Sequence, residues 1–134
     1  MSRSKTYVLD YDPFLLARLC FANVKRMWDA QRELKVRTLL SLKGQHGEAR
    51  LFSGPLCLEA VFYIRPKCAL VEQSNKSVYR KSCIVRPSIR DCLKFVFNTS
   101  NKIIYKSTDQ IAEIRTKKIY DKHPRVEFTI SEIA

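Results

Sequence analysis

The sequence predicts an α+β fold in which a small mixed or antiparallel sheet carries two main helices. One predictor is the apolar stripe Ile89, Cys92, Leu93, Val96 and Phe97, spaced i, i+3, i+4, i+7 and i+8 as on one face of a helix. The other is the alternation of residue character from 56 to 64, 110 to 120 and 126 to 130, the period of a strand. Along the chain the elements run β-α-β-loop-α-β-β, without the regular βαβ repeat of a parallel α/β fold.

The first strand is predicted at Thr6–Leu9, broken by Asp10, Asp12 and Pro13. Residues 14 to 27 are apolar and basic without clear periodicity, and read either as a short helix or as an irregular packed segment. A helix is predicted from Asp29, its N-cap, with Leu34, Leu39, Leu40 and Leu42 as the buried stripe and Arg32, Lys35 and Lys43 on the polar face. Gly44 and Gly47 supply its stop. After the Gly54-Pro55 turn, Leu56 to Ile64 is apolar at nearly every position, as in a strand buried on both faces. Residues 65 to 87 read as a basic loop, long enough inside one domain spanning 1–134 to suggest a functional segment. Ser88 is the expected N-cap of the second helix and Asn101 its terminator. The last two strands flank the DKHP turn at Asp121–Pro124.

The formal charge of +12 on 134 residues is the strongest global signal. Like charge at this density repels itself in a compact state, and a polyanion relieves the repulsion. No apolar run approaches the roughly 18 residues of a membrane span, so nucleic acid is favoured over a membrane or an acidic protein. The five cysteines include no CxxC, and His46 and His123 stand far from them, so neither a zinc site nor a disulfide framework is expected. That usage fits reduced, buried thiols in an intracellular, reducing compartment, and the amino-terminal residues read neither as a signal peptide nor as a transit peptide. His46 and His123 are expected to be exposed loop residues. Phe62, Tyr63, Phe95, Phe97 and Phe128 are expected in the core, leaving Tyr79 and Phe21 as the candidates for base stacking.

From Pro87 onward the stretch RPSIRDCLKFVFNTSNKIIYKSTDQIAEIRTKKIYDKHPRVEFTI resembles the second half of the RusA-like Holliday junction resolvases. In that family a proline precedes D-x-D-N-L-x-K at a helix start, followed by Y-x-D-D-x-Q-[IV], a charged strand and a final hairpin strand. Pro87, Leu93, Lys94, Tyr105, Gln110 and Ile111 stand at the matching positions, and FSGPLCLEAVFYI resembles the family's earlier strand. The resemblance covers about Tyr7 to Ile130 and implies a RusA-like fold, DNA as partner and a homodimer.

The acidic positions of that pattern are changed. Where the family places its two Asp of D-x-D this chain has Ser88 and Arg90, and where it places D-D it has Ser107 and Thr108. Magnesium needs oxygen ligands and charge compensation. A guanidinium about 5 Å from a divalent ion is repelled by roughly 6 kcal/mol at an effective dielectric near 20. The sequence therefore predicts a degenerate, non-catalytic member without metal or other cofactor. It would hold DNA or structured RNA through Arg80, Lys81, Arg86, Arg90, Lys94 and Lys106. The expected setting is a larger nucleoprotein assembly such as a nucleoid, a virion interior or a ribonucleoprotein particle. Two alternatives stay open: a magnesium-dependent junction endonuclease using the displaced pair Asp91 and Asp109, and a module for an acidic protein partner.

Overall fold

The computed structural model describes residues 3–14, 24–66, 82–84 and 87–133; in the first helix the side chains are described from Arg32 onward. The elements are β1 (Ser4–Leu9), α1 (Val24–His46), β2 (Leu56–Ile64), α2 (Ile89–Ser100), a 3-10 helix (Thr108–Gln110), β3 (Ile111–Tyr120) and β4 (Arg125–Glu132). The four strands form one mixed sheet in the order β1-β4-β2-β3. β4 runs antiparallel to β1 and to β2, while β2 and β3 are parallel. With two helices on this sheet, the α+β architecture with a small mixed sheet expected from the sequence is what the chain adopts.

Both helices lie on one face of the sheet. Leu34 and Leu42 of α1 and Cys92 and Val96 of α2 join Tyr7, Leu9, Leu58, Phe62, Phe128 and Ile130 in a single buried cluster. The alternation of the strands is what allows this. Leu56, Leu58, Ala60 and Phe62 all point to the helices, and so do Val126, Phe128 and Ile130 of β4. On the opposite face stand Glu59, Glu113, Arg115, Glu127 and Arg125, and no described element packs over them.

Three sequence expectations are corrected. The helix expected to start at the Asp29 N-cap already includes Val24, so Asp29 lies inside α1. Its inward stripe is Leu34, Thr38, Leu42 and His46, spaced by four, whereas Leu40 is 64% exposed and Val36 48%. A run of leucines hides the phase of a helix, because Leu39, Leu40 and Leu42 cannot all share one face at 100° per residue. His46, expected on an exposed loop, is instead buried as the last residue of α1, and Gly47 follows with φ +61°, the left-handed residue that ends the helix.

The last two strands do not form the hairpin that the DKHP turn suggests. Asp121–Pro124 does reverse the chain, but β4 enters between β1 and β2, so β2 separates it from β3. The reason is burial: Val126, Phe128 and Ile130 belong in the middle of the sheet, whereas β3, with eight consecutive half-buried or exposed residues from Ile111, suits an edge.

Candidate nucleic-acid interface

The start of α2 is the position from which the family's acids would project. Pro87 is buried, and its carbonyl accepts a hydrogen bond from Lys118 Nζ of β3 at 2.9 Å, which ties the helix start to the sheet. Ser88 is extended (φ −69°, ψ 156°), and its Oγ accepts from the backbone N–H of Asp91 at 3.1 Å, closing the first turn. Cys92 and Val96 then face the core, while Arg90, Asp91, Lys94 and Asn98 are exposed. Arg90 and Lys94 are one turn apart and project from the same flank.

The far end of α2 is equally ordered. Asn101 caps it by donating its N–H to the Phe97 carbonyl, and Ser100 Oγ lies 2.6 Å from the buried Tyr105 hydroxyl. Lys106 follows, exposed. Ser107 then caps the 3-10 helix: its Oγ accepts from Asp109 N–H at 3.2 Å, and Gln110 Oε1 accepts from Ser107 N–H at 3.0 Å. Gln110 Nε2 donates in turn to the carbonyls of Phe52 and Gly54, fixing this turn against the entry to β2. Asp109 is exposed.

These hydrogen bonds decide whether the residues at the family's acidic positions fit a hard divalent cation. They do not. Ser88 and Ser107 hold backbone N–H groups as caps and are neutral, and Arg90 carries the wrong charge. Among the described residues no three His, Cys, Asp or Glu side chains converge as a metal site. Cys92 offers no thiolate, since burial pushes its pKa up to about 12. Cys57 and Cys83 are buried and in no disulfide.

The cations are unequally distributed between the two faces. On the open sheet face Arg115 pairs with Glu113 at 2.9 Å and Glu59 at 3.9 Å, and Arg125 with Glu127 at 2.9 Å and Asp121 at 3.3 Å. Arg125 also lies 3.7 Å over the Tyr63 ring. On the outer surface of the helices, Arg32, Lys35, Lys43, Arg90 and Lys94 are exposed, and no ion pair among the described residues includes them. Unpaired cations are the ones that can release counterions to a polyanion; on the open sheet face Lys117 is exposed outside any ion pair among the described residues as well.

Of the residues expected to touch nucleic acid, the structure places Arg90 and Lys94 together and Lys106 beyond the other end of the same helix. Arg80, Lys81 and Arg86 lie outside the described residues, as do the stacking candidates Tyr79 and Phe21. Phe62, Tyr63 and Phe128 are buried, and Phe95 and Phe97 pack against the core. Sequence reasoning missed Lys102, which is exposed at φ 68° just past α2. An Asn-Lys pair at a helix end is its only local signal. His123 is exposed as expected, and its N–H donates to Asp121 Oδ1.

Among the described residues no helix is long and apolar enough to cross a membrane. The chain is 27% identical over 94 residues to the protein of Bacillus subtilis (strain 168) described as "Uncharacterized protein YqaN", a match that covers 67% of this chain and 66% of that one. The chain thus spans just under two thirds of that relative's length. Residues 18–131 match the profile of the family described as "Endodeoxyribonuclease RusA". That match overturns the expectation of a non-enzyme, because the family is one of nucleases. The expectation rested on four substituted positions, in a chain that has 13 Asp and Glu in all. A fold with β4 inserted beside β2, the Pro87–Ser88 helix start and the Gln110 turn thus meet a family profile over most of the chain, and the chain belongs to the RusA endodeoxyribonuclease family.

Proposed function

We propose that this protein binds branched duplex DNA through the outer surface of its helix layer and acts on it as a structure-directed endodeoxyribonuclease. The observation that carries the reading is the exposed set Arg90 and Lys94 on α2 with Arg32, Lys35 and Lys43 on α1, in no ion pair among the described residues, in a family of DNA nucleases. Side chains of this kind hold phosphates and set the register of a duplex without reading bases, as suits recognition of DNA shape. Asp91 and Asp109 are the acids nearest the family positions along the chain, and both are exposed. They do not form one site: Asp91 stands in the first turn of α2 near Lys118 late in β3, and Asp109 in the turn just before β3 begins.

The test is a labelled four-way junction, a matched duplex and a structured RNA, each incubated with and without magnesium and scored for shift and for cleavage. Salt-sensitive binding that is tightest on the junction is expected, with strand cuts in the junction and none in the matched duplex. Binding without cuts removes the nuclease part of the proposal, tighter RNA binding changes the partner, and absence of salt-sensitive binding sinks the whole reading.

A further inference from the structure

Gln45 and His46, the last two residues of α1, fasten that helix to β1, an edge strand of the sheet. The N–H of Val8 donates to Gln45 Oε1 at 2.8 Å, and its carbonyl accepts from Gln45 Nε2 at 2.6 Å. Ser41 Oγ accepts from the same Nε2 at 2.9 Å, and Lys5 Nζ donates to the Gln45 carbonyl. The next residue, His46, is only 5% exposed, and its Nδ1 lies 2.7 Å from the hydroxyl of Tyr7 in β1. One polar clamp and one buried ring therefore hold the same turn. Gly44, within that turn, gives the helix little strength of its own there.

The ring sits where a proton is unwelcome. Its Nε2 is buried and has no partner in hydrogen-bond geometry. On the β1 side, Lys5 Nζ stands 5.6 Å over the Tyr7 ring, and the Arg3 guanidinium lies 4.1 Å over Phe52, whose ring is 6.2 Å from that of His46. Tyr7 stays neutral, since burial raises its pKa to about 12. Glu132 of β4, beside Arg3, is engaged by Ser53, whose N–H and Oγ both donate to it at 3.0 Å. In the loop after α1, the side chains of Glu48 and Arg50 are exposed. The backbone of Ala49 and Arg50 favours a charged ring, but burial, Lys5 and Arg3 outweigh it and hold the His46 pKa below its ordinary value. A protonated ring would be a third positive charge in this corner, out of water.

We propose that His46 is a proton-operated latch between α1 and the β1 edge. Neutral, it holds the last turn of α1 in place; protonated, it leaves its site, the Gln45 clamp goes with it, and the N–H and C=O of Val8 are freed while the rest of the sheet stays folded. The latch does not depend on the DNA-binding reading, and its test contains no nucleic acid. Amide hydrogen exchange of the whole protein is followed by NMR from about pH 7.5 to about pH 5.5, either side of the ordinary histidine pKa, at several low urea concentrations. The intrinsic pH dependence of exchange is divided out. Protection of Val8 and of the last turn of α1 is expected to fall as the pH drops below about 6.5, by at most about tenfold per pH unit. Opening the latch exposes little surface, so this exchange should be indifferent to urea, whereas that of Phe62, buried within β2, should quicken with each increment. His46→Gln cannot take up the proton and should leave Val8 protection flat with pH. Lys5→Gln removes one of the two cations and should shrink the fall without abolishing it. A Val8 amide indifferent to pH, an undiminished fall in either variant, or exchange at Val8 that follows urea as Phe62 does overturns the inference.

Discussion

Ser88 shows how much of one position is written locally. A serine after proline and just ahead of a helical apolar stripe is a capping signal, and its Oγ does hold Asp91 N–H. Ser88→Ala should cost about 1 kcal/mol, read as a lower urea midpoint with an unchanged slope. His46 shows the opposite case. Its Nδ1 lies 2.7 Å from the hydroxyl of Tyr7, a residue 39 positions away, and no local pattern announces that pairing. Burial, with Lys5 and Arg3 nearby, pushes the His46 pKa below its ordinary value, and burial raises that of Tyr7 to about 12. The folded state therefore resists protonating His46, while the unfolded chain takes up the proton near its ordinary pKa. Stability from this site is complete above that value and declines as the pH falls through it, with a slope of at most about 1.4 kcal/mol per pH unit. Urea midpoints between neutral and mildly acidic pH should fall in the wild type and fall less in His46→Gln.

At the scale of elements, what can be read from the sequence follows how local each cause is. β2, β3, β4 and α2 are all legible, because alternation, the Ile89–Phe97 stripe and the Ser88 cap are short-range patterns. The phase of α1 is not, since its leucines allow more than one face and only the sheet selects Leu34 and Leu42 over Leu40. That selection has a direct energetic consequence. Leu42→Ala removes a fully buried side chain and should cost about 2–5 kcal/mol, whereas Leu40→Lys, at a largely exposed position, should stay within roughly 0.5 kcal/mol of wild type. Denaturant titrations of the two variants separate the true face from the apparent one. The basic side of α2 is likewise legible, as Arg90 and Lys94 stand one turn apart wherever the helix lies. That Glu59, Glu113 and Glu127 lie away from it is not, because their place on the other face of the sheet is set by strand register. Arg90→Ala with Lys94→Ala should weaken binding to the junction and to plain duplex alike. The pair should also flatten the log–log salt slope by roughly 0.9 for each phosphate no longer neutralised.

For the whole molecule, the charge of +12 acts in opposite directions on the free and the bound protein. Alone, the folded chain concentrates like charges that the unfolded chain can spread apart, and the helix layer holds several of them outside any ion pair among the described residues. Added salt screens that repulsion over a Debye length of about 10 Å at 0.1 M, so the melting temperature of the free protein should rise with sodium chloride. DNA, bound as proposed, would relieve the same repulsion by supplying phosphates. A ligand that binds only the folded state adds about 2.7 kcal/mol at a hundredfold excess over its dissociation constant. That gain shrinks as salt competes for the phosphates. Melting curves across a salt series, with and without junction DNA, should therefore converge: the free protein rises while the increment from DNA falls. Parallel curves would mean that the helix-layer cations do not meet phosphate. A free-protein melting temperature indifferent to salt would mean that intramolecular pairing, of the kind Arg115 and Arg125 make on the sheet face, already neutralises the rest.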